Sequence, residues 1–156
     1  MIDEKPIKMT TIEPKSMPQQ AYFLGLFSAF DNRFQAIADK SFKKITWKQF
    51  FAIICITLCK DSPTINKLSE VMGSSHQNVK QILLKLEKIN FVKIIQDSKD
   101  RRKQIVILTP ECLDFCKEND KSNQTIMEKI FANVDDSEFQ ASIKTIAKMY
   151  ENLGKM

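Results

Sequence analysis

From Gln20 to Asp39 the apolar residues Phe23, Leu26, Phe27, Phe30, Phe34 and Ile37 recur at helical spacing and predict a first helix. Tyr22 and Leu24 widen its apolar face beyond what a lone surface helix needs. Thr46-Trp47-Lys48-Gln49 has the form of a capping box and opens a second helix through Phe50, Ile53, Ile54 and Thr57 to about Lys60, where Asp61-Ser62-Pro63 stops it. Thr64 caps a third helix with Ile65, Leu68, Val71 and Met72 as its buried face. Gly73 supplies the left-handed residue that ends it.

Ser75 caps a fourth helix whose core stripe is Val79, Ile82, Leu83 and Leu86, which sends Gln77, Lys80, Gln81, Leu84, Lys85 and Lys88 outward and leaves His76 nearer the buried side. Two β-branched runs, 91–95 and 104–108, flank a polar tip and pair as an antiparallel ribbon. Thr109-Pro110 starts a fifth helix running to about Asn133. A capping box at Asp135 to Glu138 opens a sixth, striped by Phe139, Ile143, Ile146, Ala147, Tyr150 and Leu153. The expected class is mainly α, in the order α-α-α-α-β-β-α-α.

Composition narrows the picture. A chain of 156 residues with 43% hydrophobic content can bury a core, and three Gly and five Pro favour long helices over many turns. With no apolar run of 18 and no apolar signal core near Met1, the expectation is a cytoplasmic protein, without membrane contact, whose residues 1–19 form a flexible arm.

Charge changes the picture more. Residues 74–103 hold eight Lys or Arg against three acids, a surplus of +5 that equals the net charge of the whole chain. Concentrating it in one helix and a ribbon suits a surface that neutralises the phosphates of double-stranded DNA. The candidate groove-reading residues are Ser74, Ser75, His76, Gln77, Asn78, Lys80, Gln81 and Lys85, since the first turns of such a helix reach base edges and amides can bond adenine. In the ribbon tip, Lys99, Arg101, Arg102 and Lys103 would follow the minor groove and flanking phosphates, with one arginine pairing to Asp97 or Asp100 to stiffen the loop. An ordinary solvated polar face is the bland alternative.

Asp97-Ser98-Lys99-Asp100-Arg101-Arg102 running into Val106-Ile107-Leu108-Thr109 is similar to the D-x-R-D-R-R…L-T wing of the multiple antibiotic resistance regulator (MarR) family, with Lys99 in place of the usual Arg. Leu68…Met72-Gly73 before Ser75 and the closing Leu86-Glu87 match as well, and the resemblance covers about residues 20–153. It implies a winged helix-turn-helix lobe (46–109) and a homodimer interlocked through helix one (20–45) and helices five and six (110–156). It also implies a repressor on a pseudo-palindromic operator, released by a small aromatic or anionic effector.

Phe23, Phe27, Trp47 and Phe51 could line an effector pocket between the first two helices, although aromatics are more often core. Cys55/Cys59 and Cys112/Cys116 lie at i, i+4 and could sense thiol oxidants, but buried packing is the more ordinary role. Their spacing is not that of common zinc sites, and one histidine excludes a His-rich centre, so neither metal nor cofactor is expected. No catalytic group is expected, since His76 is far in sequence from every cysteine. The competing reading is a winged-helix module for protein or RNA partners.

Overall fold

The computed structural model describes residues 17–98 and 100–156, so most of the expected arm and Lys99 lie outside the described residues. The chain divides at Leu113/Asp114 into two compact units. The first contains α1 (Gln19–Ser41), α2 (Trp47–Leu58), α3 (Ile65–Val71), α4 (His76–Lys88), β1 (Val92–Gln96), β2 (Gln104–Leu108) and the first turn of α5 (Pro110–Ile130). The second holds the rest of α5 and α6 (Asp136–Leu153).

Local chemistry explains most helix starts. The Thr46 hydroxyl accepts from the Gln49 amide at 3.4 Å while Gln49 Oε1 accepts from the Thr46 amide at 2.8 Å, the reciprocal pair expected of a capping box. Thr64 caps α3 through the Lys67 amide at 3.1 Å, and Ser75 caps α4 through the Asn78 amide at 3.3 Å. Gly73, at φ 59°, lets the chain reverse between α3 and α4, a conformation in which a Cβ would be strained.

The core of the first unit is built where these helices meet the ribbon. Val79, Ile82, Leu83 and Leu86 of α4 are buried as expected, alongside Ala52, Ile53, Cys55 and Ile56 of α2, Leu68 of α3, and Phe91, Val92 and Val106. Two expected stripes are corrected. Thr57 is exposed and bonds the Ile53 carbonyl, so α2 packs through a face rotated toward Ala52 and Cys55. Val71 is exposed and Met72 half-buried, because α3 ends just as it clears the core.

The ribbon begins one residue later than expected, because Asn90 takes the left-handed conformation (φ 60°) and the Phe91 amide still bonds the Leu86 carbonyl at 2.9 Å. Antiparallel register pairs Val92 with Leu108, Ile94 with Val106 and Gln96 with Gln104. Period-two alternation then turns Val92 and Val106 inward. A one-residue bridge from Thr64 to Ile105, backed by the Val106 amide on the Pro63 carbonyl at 2.9 Å, ties the start of α3 to the outer edge of β2.

The base of the ribbon is knotted by buried Thr109. Its hydroxyl donates to the Asn90 carbonyl at 2.6 Å and accepts from the Cys112 amide at 3.2 Å, capping α5. Asn90 Nδ2 also bonds Glu111 Oε2 at 2.9 Å.

In the second unit α5 ends at Ile130, three residues short of the expected Asn133, which instead takes φ 62° in the turn. Phe131 and Phe139 close that turn edge to face at 5.1 Å. Asp135 caps α6 in a capping box, and its carboxyl is held below the usual range by the Ser137 hydroxyl and the Glu138 amide. No residue of α6 is buried: Phe139, Ile143, Ile146, Tyr150 and Leu153 are all exposed.

Candidate nucleic-acid interface

Ser75 fixes where α4 begins, and the buried stripe fixes its rotation. Gln77, Lys80, Gln81 and Lys85 consequently lie on the solvent side with His76 and Leu84. Leu84 is 41% exposed although the stripe falls as expected, so no rotation of the helix accounts for it. His76 corrects the helical-wheel reading. It shares a face with Val79 and Leu83, but the core starts at Val79, and the first turn projects beyond it into solvent.

Asn78 is the least free of the expected base readers. Its Nδ2 donates to the Ser74 hydroxyl at 2.8 Å, bracing the turn into α4. Glu87, one of the three acids in the basic segment, accepts from the Ile94 amide at 3.0 Å and ties the end of α4 to β1.

The wing tip is organised by Asp100. Its Oδ1 accepts from both the amide and Nε of Arg102, at 3.1 and 3.2 Å, while Lys103 Nζ stands 3.6 Å from Oδ2. These bonds, Arg102 first, hold its carboxyl below the usual range. Arg102 is thus the stiffening arginine. Arg101 makes no ion pair among the described residues and is exposed.

The fold then brings helix and wing together in a way the sequence did not indicate. His76 opens α4, Thr64, Ile65 and Asn66 start α3, and Arg102, Lys103 and Gln104 lead into β2; together they line a cleft of about 350 Å³. Thr64 and Asn66 carried no functional signal in the sequence. The Thr64–Ile105 bridge and the Val106–Pro63 hydrogen bond deliver them beside the wing.

A second cavity, of about 400 Å³, lies behind the turn into α4. Its walls include Asp31, Phe34 and Gln35 of α1, Trp47, Lys48 and Phe51 of α2, and Ser74 and Asn78 at the start of α4. Phe34 meets Trp47 edge-on at 4.5 Å, and Trp47 lies near-parallel to Phe51 at 6.2 Å. Of the four expected pocket residues, Trp47 and Phe51 are present, whereas Phe23 and Phe27 are absent from the lining and 38% and 47% exposed. The α1 contribution comes from two to three turns further along, where Asp39 accepts from the Trp47 amide and fixes the crossing with α2.

The cysteines do not share one environment. Cys55 and Cys112 are buried, and Cys59 and Cys116 are half-buried. Burial, and then the neighbouring Cys59, push the Cys55 thiol up, against thiolate formation. Among the described residues no group of three or more His, Cys, Asp or Glu is placed to hold a metal ion, and no helix is long and apolar enough to cross a membrane.

Neither a protein-family model nor a curated protein matches the sequence. Solved structures do match the fold. A MarR/EmrR family transcriptional regulator from Acinetobacter sp. ADP1 superposes with a TM-score of 0.78 at 12% identity, over 90% of this chain and all of that one. The fold is that of the MarR regulators. Two further neighbours carry ligand information in their own right. Staphylococcus aureus MepR, solved with DNA, has a TM-score of 0.75 at 17% identity, covering 84% of this chain and 97% of its own. Bordetella bronchiseptica BpsR, whose DNA binding is regulated by 6-hydroxynicotinic acid, has 0.71 at 20%, covering 81% and 91%. In MarR terms α3 and α4 are the helix-turn-helix and β1–β2 the wing.

Proposed function

We propose that this chain is a MarR-family, sequence-specific DNA-binding regulator of transcription, acting as a homodimeric repressor on a pseudo-palindromic operator. One observation carries the reading. The first residue of α4 and the cationic wing adjoin at a single cleft, and α4 turns a polar face to solvent, in a fold that MepR presents in a DNA complex. Gln77, Lys80, Gln81 and Lys85 enter the major groove, and Arg101 reaches the minor groove from a tip held rigid by Asp100.

Homodimerisation is supported by the apolar residues that α1 and α6 leave exposed, including Leu24, Phe30, Ile37, Ile143 and Leu153. A second copy would remove them from water. The cavity behind the recognition turn takes a small aromatic or anionic effector. It has aromatic walls with Lys48 as a cation, and it includes Ser74 and Asn78, so an occupant bears directly on the start of α4. BpsR, which answers to an aromatic acid, is a precedent among its structural neighbours.

Selection from random duplexes followed by gel shift tests the reading. The expected result is an enriched motif with half-sites about one helical turn apart and affinity that falls steeply with salt. A second reading, docking of a protein partner, draws on exposed Ile95 and Ile107, which share the outer face of the wing. Failure to enrich any motif, together with flat salt dependence, would favour it.

A further inference from the structure

We infer that the cleft between α3, the first residue of α4 and the base of the wing is a single oxyanion site, in which His76, Arg102 and Lys103 close on one phosphate group. The inference deepens the DNA-binding reading and rests on it for one of two phosphate sources, the duplex backbone; free inorganic phosphate is the other.

Three elements far apart in sequence supply the groups. His76 contributes a ring N–H donor, Arg102 a guanidinium and Lys103 an ammonium, while Thr64, Asn66 and Gln104 line the cleft with a hydroxyl and two amides. Every polar group named can donate to an oxygen. The charge balance is favourable as well, because Asp100 is bonded to both cations and one carboxylate neutralises only one of the two.

The pairing with Asp100 positions the site without consuming it. Arg102 gives only Nε to Asp100, which leaves four of its five N–H donors without a partner among the described residues. Its side chain is 92% exposed, so those donors cost no desolvation until the ligand arrives. At about 350 Å³ the cleft is roomier than one phosphate requires, and the surplus suits a phosphate carrying its sugar.

A shared site makes a numerical claim that separate contacts do not. Each neutralised phosphate contributes about 0.9 to the slope of log affinity against log salt. If Arg102 and Lys103 hold the same phosphate, Arg102→Gln/Lys103→Gln lowers the slope on a mixed-sequence duplex by about 0.9, and by about 1.8 if they hold two. His76→Gln, which removes a ring N–H donor from the cleft, weakens binding severalfold.

The second arm uses inorganic phosphate alone, titrated into the intact protein at constant ionic strength while the His76 ring and Gln104 amide resonances are followed. Saturable shifts in the wild type that vanish in the double variant support the site where the duplex slope is unchanged or falls by about 0.9. A slope loss near 0.9 without such shifts supports it as a duplex-phosphate site. A loss near 1.8, or an unchanged slope with no phosphate-induced shift, overturns it. If the wild type binds no duplex at all, the DNA reading fails and the phosphate titration decides the oxyanion site alone.

Discussion

Arg102 donates through both its amide and its Nε to one oxygen of Asp100, while its neighbour Arg101 is bonded to no acid among the described residues. Two adjacent arginines therefore do different work. Asp100→Asn should loosen the wing tip, seen as faster hydrogen exchange at the Arg102 and Lys103 amides, whereas Arg101→Gln should weaken duplex binding and leave those amides protected. Because Asp100 titrates below its ordinary value of 3.8, its contribution to tip order is complete above that value and is lost only as pH falls below it. Protection of those amides, measured relative to the intrinsic exchange rate at each pH, that falls toward neutral pH would contradict the assignment.

Trp47 is the chain's single tryptophan and stands in the wall of the rear cavity, so it reports on any occupant. A small aromatic acid should quench its fluorescence saturably. Phe34→Ala should weaken that binding by about 2- to 10-fold, the worth of one aromatic contact. Phe23→Ala should not, and equal losses from both would mean that the effector binds elsewhere.

Thr109→Val keeps the shape and removes a hydroxyl that serves the Asn90 carbonyl and the Cys112 amide inside the core. The expected cost is about 1–3 kcal/mol in urea unfolding. Thr109→Ser, which keeps the oxygen, should recover most of it.

Ile143→Lys/Ile146→Lys changes two residues that α6 already exposes, and on an isolated chain it should cost almost nothing. In a dimer it places charge in an apolar contact. Sedimentation should show a wild-type dimer and a monomeric variant, and a monomeric wild type at micromolar concentration would remove the dimer from the proposal.

Half-buried Cys59 should react with a disulfide reagent well before Cys55, whose burial raises its thiol pKa. Mass mapping after brief labelling checks the order. Fast modification of Cys55 would restore it as a sensing thiol.

Much of this architecture was legible because it is locally encoded. Thr46, Ser75 and Asp135 each announce a helix start within four residues, and the stripe from Val79 to Leu86 sets the rotation of α4 without help from the rest of the chain. What escaped depends on where elements cross. Helical periodicity identifies the apolar side of α1 but not the turn that meets α2, which is why Phe34 replaces Phe23 and Phe27 in the cavity. The Thr64–Ile105 bridge involves a single residue on its short side and leaves no period to read. With it went the chance to see Thr64 and Asn66 beside the wing.

The Thr109 knot has one last implication. Because the Thr109 hydroxyl stitches Asn90, two residues past the end of α4, to the opening turn of α5, both feet of the ribbon are anchored at one point. The hairpin is thereby fastened at both ends, by one hydroxyl at its feet and by the Asp100 carboxylate at its tip.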